Sequence, residues 1–493
     1  MQIRVFYMRI LGSALLLSAA HAAHASDLPW LPEGLQDPFA MEKKANNLVD
    51  AHLKPATCPA TPNLDHKLPF NEIVAIALCH NPDTKAAYFG LVGQAAASGT
   101  SYSGYLPSVT TDLSRSRTSQ FAPNNKYSFN STSSDLLVGL VLYDFGQREF
   151  RVEVAEQALI SAGYNYNSTL QGMIAATLQG YYQLLAAQQS VEVAAASERY
   201  AKESYDAAAL RHQIGEAPVV DELQAKGAYS QAQLASEQAR NNLALDRAAL
   251  ALLMGLNPDT QIDVADMDDS ALTKDPFDGK LDALMKQAGE KRNDLLASRT
   301  QLKESEASLN ALKRADLATV SVTTNLGYTN YRSDVFSQGN TRSEGVVLSV
   351  SVPLFTGFYQ TYNERAARDQ LDAQREQLKR TELNVQQDVW NAWHNYETAK
   401  QSWETSFDLM ASATKLKDVS LGRYTEGLGT ILDVLSSQSQ YSSALQSQLQ
   451  SHYTLLTSRL DLVRAVGVLN LDTMRPETTI AVPPVIETTT GFE

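Results

Sequence analysis

Two acidic residues stand out because each lies just after a glycine-containing turn between long helical segments. Asp433 lies in RYTEGLGTILDVLSS (423–437), and Asp221 lies in the related segment RHQIGEAPVVDELQA (211–225). A carboxylate in this position can support the start of the next helix: TILD fits a capping box, and Asp221 follows a helix-starting proline. On the residues alone, both acids are therefore predicted to start their helices.

Few other residues have the types and spacing of a catalytic or metal site. The 8 histidines are scattered, and no HExxH, CxxC or P-loop pattern occurs. GTSYSG (99–104) has the wrong spacing for a nucleophile elbow, and GLG (427–429) lacks the rest of a dinucleotide fingerprint. We therefore predict no enzyme, no cofactor and no metal site.

The N-terminus and the cysteines are typical of an exported chain. Two arginines precede a short apolar run (10–20), and AHAAHAS offers signal-peptide cleavage after Ala25. A buried N-terminal helix is the alternative. In an oxidising compartment Cys58 and Cys79 are expected to form one disulfide, with two buried thiols as the alternative.

Charge and hydropathy narrow the possible partners. The formal net charge of −14 argues against a nucleic-acid partner, which would need a basic face. After the predicted cleavage site, no segment has the roughly 20 consecutive apolar residues of a transmembrane helix.

An internal repeat is the most informative feature of the sequence. Weak matches recur at a nearly constant offset, which indicates a tandem duplication. The matched positions include Leu106 with Leu317, Gly146 with Gly357, Arg211 with Arg423, Gly215 with Gly427, Asp221 with Asp433 and Gly255 with Gly467. Each half is expected to run as a helix, two strands, a very long helix, a turn and a returning helix. The predicted segments are 70–104, 105–118, 131–145, 147–213 and 218–255 in the first half, and 281–314, 318–331, 345–356, 358–425 and 430–467 in the second.

Residue spacing within these segments predicts an elongated molecule. The very long helices span roughly 100 Å, which makes the chain a rod with a small sheet at one end. The second long helix carries a coiled-coil stripe that runs through Phe407 and Met410. The predicted strands alternate apolar and polar residues, and the apolar set in the fourth strand is Val346, Leu348, Val350, Val352 and Leu354. Four strands are too few to close a barrel, so two or three copies of the chain are expected to associate.

The expected organisation follows the repeat. It comprises a signal peptide (1–25), an N-terminal arm (26–69), a first structural repeat (70–255), an equatorial linker (256–280), a second structural repeat (281–467) and a C-terminal tail (468–493).

Five segments resemble the signatures of TolC-type outer-membrane efflux proteins. They are AIALCHNPDTKAA (75–87), GYLPSVTTDLS (104–114), LVLYDFGQR (140–148), VSVPLFTGF (350–358) and RYTEGLGTILDVLSSQSQYSSA (423–444). The resemblance covers roughly residues 68–470. It implies an all-α protomer with a small β part, in which three chains form a 12-stranded outer-membrane β-barrel that continues as a helical duct across the periplasm.

The resemblance also implies a function and partners. The homotrimer would be an export duct set in outer-membrane lipid, served by a periplasmic adaptor protein and an inner-membrane ABC transporter or RND pump. The sequence shows no N-terminal lipid-modified cysteine, which favours the ducts of type I protein secretion. The alternative is a secreted or surface coiled-coil structural protein with no channel. That alternative does not explain why strand pairs occur at the same place in both halves.

Roles for the turn residues follow from the same resemblance. Asp433 would line the narrowest ring at the periplasmic tip, and Asp221 and Tyr424 would belong to the network that holds the tip closed. Ser436 stands in the position of a second ring acid and Gly429 in that of a latch arginine, so one acidic ring and a weaker latch are expected. The glycines expected to let the helices reverse are Gly215, Gly427 and Gly429.

Overall fold

The computed structural model describes residues 37–55, 58, 62–122, 125–265, 280–333 and 338–471. The predicted signal peptide, most of the predicted linker and most of the predicted tail lie outside these ranges.

The described residues form long helices and one small sheet. The helices are α1 (Met41–Asn47), α2 (Phe70–His80), α3 (Pro82–Ser103), α4 (Gln147–Gln213), α5 (Val219–Leu253), α6 (Leu281–Lys291), α7 (Asn293–Lys313), α8 (Tyr359–Thr425) and α9 (Ile431–Val466). The strands are β1 (Ser108–Ala122), β2 (Asn125–Tyr143), β3 (Thr319–Ser333) and β4 (Gly339–Ser351). The order of elements is the same in the two halves, as the sequence repeat predicts.

The first helix of each half is broken, where the sequence predicts one continuous helix. Asn81 and Arg292 both have extended backbone, with ψ values of 132° and 122°. Pro82 explains the first break, because a proline disfavours helical backbone in the residue before it. The Asn81 side chain completes that break by accepting from the Asp83 N–H at 2.7 Å and donating to the Leu253 carbonyl at 3.0 Å.

The second break has no proline and is held by charged side chains instead. The Arg292 guanidinium donates to Asp294 at 2.6 Å and to Asp388 of α8 at 2.8 Å. Burial disfavours the charged guanidinium, yet the two carboxylates more than offset this and raise the pKa of Arg292. The break thus ties α7 to the neighbouring long helix.

A returning helix ends against each of these breaks. Gly255, just after α5, has a φ of +71°, and a Cβ there would lie 2.6 Å from the His80 carbonyl oxygen. Gly467, just after α9, has a φ of +80°, and a Cβ there would lie 3.0 Å from the Arg292 backbone nitrogen. In each half, the returning helix (α5 or α9) therefore meets the broken first helix end to end. Both lie beside a helix of 67 residues, α4 in one half and α8 in the other.

The strands form one antiparallel sheet in the order β1-β2-β3-β4. The pairs Asp112 with Asp135 and Tyr328 with Arg342 fix the register. The sequence predicts strands of similar position but shifted ends: β4 stops at Ser351, so Val352 and Leu354 lie beyond it. Within the described residues β1 and β4 each have a single partner strand.

Residues 48–50 of the N-terminal arm pack against α4. Leu48 packs where a Cβ on Gly163 of α4 would lie only 2.8 Å from the Leu48 Cβ. The Asn167 amide donates to the Leu48 carbonyl at 3.0 Å and accepts from the Asp50 N–H at 3.1 Å.

Among the described helices, none is both long and apolar enough to cross a membrane.

Replacing Gly255 by Ala should destabilise the protein by about 2 kcal/mol, because the new Cβ meets a carbonyl oxygen and the backbone is left-handed. Thermal unfolding followed by circular dichroism measures the change. The matched control is Gly289→Ala in α6, where nothing lies within 4 Å of the added Cβ. That substitution should be neutral or stabilising by ~0.5 kcal/mol. Equal effects of the two changes would contradict the proposed end-to-end contact.

Candidate functional site: the two helix turns

The two turns between long helices have the same backbone structure. Gly215 and Gly427 are left-handed, with φ values of +83° and +75°. In the first turn the N–H of residue 216 donates to the Arg211 carbonyl at 2.8 Å, and in the second the N–H of residue 428 donates to the Arg423 carbonyl at 2.8 Å. This bond from the residue after the glycine satisfies a carbonyl that the helix end would otherwise leave free. Glycine is required because a side chain strains this conformation.

Gly429 contributes in a different way from the other two glycines. Its backbone is not left-handed, but a Cβ would lie 3.3 Å from the Arg423 Cβ and from the Tyr424 backbone nitrogen. A larger residue would push the second turn away from the end of α8. The position thus favours a close turn in this chain.

Asp433 begins α9 through a capping box. The Thr430 hydroxyl accepts from the Asp433 N–H at 3.2 Å, and the carboxylate accepts from the Thr430 hydroxyl at 2.8 Å and its N–H at 3.1 Å. The hydrogen bond from the Thr430 hydroxyl is the largest cause that lowers the pKa of Asp433 below its ordinary value. The side chain is exposed at the end of the hairpin, so its charge is open to solvent.

Asp221 has a different local setting at the equivalent position of α5. Its N–H donates to the carbonyl of Pro218, the residue before the helix, at 3.0 Å. Proline has no side-chain oxygen, so no capping box forms here. Asp221 is half-buried, and its charge contributes to raising the pKa of Tyr424, although burial is the larger cause. The charge of Asp221 therefore acts on the Tyr424 hydroxyl, while its part in holding the tip closed stays a prediction.

An arginine of the first turn joins the two hairpins. Arg211 donates to the backbone carbonyl of Tyr424 at 2.9 Å, and its guanidinium carbon lies 4.9 Å from the centre of the Tyr424 ring. Tyr424 is only 3% exposed. The apolar cluster around it comprises Ala208, Ala225, Ile431 and Val434. Arg423, the repeat partner of Arg211, instead donates to the Leu428 carbonyl within its own turn at 3.3 Å.

A lysine makes a second link between the hairpins further from the turns. The Lys417 ammonium lies 4.4 Å from the ring centres of both Tyr200 in α4 and Tyr441 in α9. Its side chain is 16% exposed, and cation–π contacts strengthen as water is excluded. Nearby, the hydroxyls of Ser197 and Ser442 are 2.9 Å apart. The hairpins are therefore joined at two levels.

Sequence reasoning did not identify Lys417 as a site residue, although a signal existed. The coiled-coil stripe of α8 reaches Met410, and two further steps of seven residues lead to Lys417 and Tyr424. A lysine in such a seam must have a partner for its charge.

The remaining predicted residues lie apart from this contact. Ser436 is exposed on the first turns of α9, and its hydroxyl accepts from the Gln440 amide at 3.3 Å. A disulfide joins Cys58 and Cys79, whose Cα atoms are 5.6 Å apart, and so connects the N-terminal arm to α2. Within the described residues no cluster of metal-ligand side chains occurs.

Comparison with known proteins places this geometry in a wider group. A family model described as outer membrane efflux protein matches residues 73–256 and again residues 284–468. These two matches coincide with the two halves and confirm the duplication.

Individual relatives resemble most of the chain. It is 26% identical over 445 residues to Protein CyaE of Bordetella pertussis, covering 90% of this chain and 92% of that protein. It is 22% identical over 356 residues to Outer membrane protein TolC of Escherichia coli, covering 70% and 71%. The crystal structure of the Campylobacter jejuni CmeC outer membrane channel has the same fold, with a TM-score of 0.71 at 18% identity over 92% of this chain and 94% of that one.

Replacing Arg211 by Gln should loosen the two hairpins, because it removes the guanidinium from the Tyr424 ring and weakens a bond worth about 1 kcal/mol. Spin labels at the exposed residues Ile214 and Leu432 would report this as a broader distance distribution in pulsed EPR. The matched control is Arg423→Gln, which removes the equivalent arginine of the other turn and should leave the distribution narrow. The same broadening in both variants would show that Arg211 has no special role between the hairpins.

Proposed function

The chain belongs to the outer membrane efflux protein family, and we propose that it acts as a trimeric export duct whose two helix turns form the gate. Proteins of this family are outer-membrane channels that extend into the periplasm, and this chain shares that location and general function. The observation that carries the proposal is the duplicated unit of two strands followed by a 67-residue helix and its returning helix. One end suits a bilayer, and the other is a long polar rod.

Exposed edges and stripes support assembly with further copies of the chain. The outer strands β1 and β4 each lack a second partner within the described residues, so a neighbouring chain can continue the sheet on both sides. On α5 three exposed leucines, Leu223, Leu234 and Leu245, recur every 11 residues. That spacing keeps them on a nearly straight line along the helix, as packing against a neighbouring helix requires. Three chains would supply the twelve strands of the proposed barrel.

The proposed partners follow from the position of the turns. The turns lie at the end of the hairpins furthest from the sheet, which places them deep in the periplasm when the sheet is in the outer membrane. A periplasmic adaptor and an inner-membrane ABC transporter or RND pump would engage this end. We favour a type I secretion role, in which the duct receives an exported protein.

The proposed gate combines a charge at the turn with contacts that hold the hairpins. In a trimer three copies of Asp433 would approach a common axis, where their charges attract cations. Arg211 and Lys417 would keep each second hairpin against the first hairpin of the same chain. Opening the duct would require the contacts around Tyr424 to loosen.

Fractionation of cells that produce the full chain tests the proposed function. We expect a heat-modifiable trimer in the outer membrane, and crosslinking from the turns should capture an adaptor and an inner-membrane transporter. A soluble monomer outside the membrane fraction would instead support a secreted coiled-coil protein.

Replacing Asp433 by Ala should reduce cation selectivity and divalent-cation block in planar-bilayer recordings, because the charge at the proposed ring is lost. Thr430→Val is the matched variant, since it removes the capping hydroxyl but keeps the acid. It should retain cation selectivity at neutral pH. If the two variants behave alike, Asp433 serves only to start α9.

The pH dependence of selectivity separates the two roles further. Because the Thr430 hydroxyl lowers the pKa of Asp433, the carboxylate should stay ionised, and selectivity should persist, to a lower pH than in a channel that lacks this hydroxyl. In Thr430→Val the loss of selectivity should begin at higher pH. Repulsion among the three acids is common to both proteins and does not affect this comparison.

A further inference from the structure

The two faces of the sheet differ in character. The strand register aligns residues across β1, β2, β3 and β4 in rows, and alternate residues share a face. One face carries hydroxyl pairs across strands, such as Ser114 with Ser133 at 2.7 Å and Ser321 with Ser349 at 2.9 Å, and both strand aspartates, Asp112 and Asp135. The other face is apolar over several rows. Its apolar residues include Val109, Leu113, Leu136, Val138, Leu140, Val322, Leu326, Val346 and Leu348.

All four arginines of the strands lie on the apolar face, at the end away from the helices. They are Arg115, Arg117, Arg332 and Arg342. Arg117 and Arg332 flank Asn130 in one row of the apolar face. Arg342 lies opposite Tyr328, two rows of the same face nearer the helices. On this face, the rows that hold the arginines contain no acid among the described residues. The next row toward the helices contains one, Glu344, which forms an ion pair with Arg342. The patch is therefore strongly basic, and its side chains are exposed.

The height of the arginines matches the surface of a bilayer. From the row of Val320 and Val350 to the row of Tyr328, the apolar face runs about 27 Å along the strands. A strand tilt of about 40° reduces this to about 20 Å across the bilayer, close to the apolar band of outer-membrane proteins. The arginines begin where this band ends. Since the helices leave the sheet from its other end, the arginines lie at the outer surface.

We propose that these four arginines bind the phosphate groups of lipid A in the outer leaflet, an inference that rests on the proposed function. Guanidinium groups bind phosphate with two parallel hydrogen bonds, which a lysine cannot do. Arg117 and Arg332 are two strand spacings apart, about 10 Å, which suits a disaccharide that carries a phosphate at each end. The acyl chains would lie along the apolar rows below.

The site becomes larger when chains associate through the sheet edges. Arg115 and Arg117 lie on β1, and Arg342 lies on β4, the two strands without a second partner in the described chain. A neighbouring copy that extends the sheet would place its β4, which carries Arg342, next to β1, which carries Arg115 and Arg117. Lipid A bound across this seam would link two subunits.

Lipid binding to the purified trimer in mild detergent tests the proposal. Native mass spectrometry would count bound molecules of bisphosphorylated lipid A, of the same lipid without phosphates, and of phosphatidylglycerol. The test variant replaces all four arginines by Gln, and a second variant replaces them by Lys. The control replaces four exposed arginines of the helices by Gln: Arg151, Arg365, Arg368 and Arg380.

We expect the Gln variant to bind about tenfold less bisphosphorylated lipid A than the wild-type trimer does. The Lys variant should lose less binding, and the control should bind as much as the wild type. Equal binding of the dephosphorylated lipid, or full retention by the Gln variant, overturns the proposal. Equal binding of phosphatidylglycerol overturns the assignment to lipid A. If the Gln variant does not assemble, the wild-type comparison of the three lipids and the Lys variant still decide.

The outcome also separates this inference from the proposed function. A wild-type chain that forms an outer-membrane trimer but binds lipid A without regard to its phosphates contradicts only the lipid site. A wild-type chain that does not reach the outer membrane as a trimer contradicts the proposed function itself.

Discussion

The length of α4 and α8 imposes the constraint on which the rest of the structure depends. A helix of 67 residues needs a neighbour along its whole length, and most helical stability comes from such packing. No other described helix is as long. In each half, the returning helix and the broken first helix therefore stack end to end beside the long helix. This stacking works only if backbone approaches backbone at the joint. Gly255 and Gly467 permit that approach, and the breaks at Asn81 and Arg292 turn the chain to meet it.

The duplication gives the two halves one backbone plan, and the differences between them carry the specific chemistry. Pro218 and Thr430 occupy equivalent positions, yet only the threonine forms a capping box and fixes an acid at the second turn. Arg211 reaches across to the other hairpin, whereas Arg423 stays in its own turn. Symmetric backbone with asymmetric side chains lets the two hairpins have different duties. In the proposed gate the first hairpin would hold the second in place, and the second would present the charge of Asp433.

Much of this architecture could be predicted from the sequence, because glycine spacing and alternating strands are local signals. The turns at Gly215 and Gly427 and the four strands lie close to their expected positions. The break at Asn81 was missed although Asn-Pro is a recognisable stop signal. The break at Arg292 has no such signal and depends on Asp388, almost a hundred residues away in sequence. Contacts of that kind arise from tertiary packing and leave little trace in local patterns. The spacing of the α8 stripe leads to Lys417, but it does not indicate which tyrosines the lysine meets.

The two links between the hairpins also determine how the turn can move. Lys417 and Tyr424 are seven residues apart, about 10 Å along α8, so both links lie near the tip and on one face of that helix. If the second hairpin swung about a point nearer the sheet, the link at Tyr424 would be strained before the link at Lys417, because Tyr424 lies further from that point. Asp433 would move with α9, because its capping box ties the carboxylate to the helix start and not to the first hairpin. The acid would thus follow the second hairpin as a rigid part of it, and the contacts of Arg211 and Lys417, with the apolar cluster around Tyr424, would contribute to the free energy needed to displace its charge.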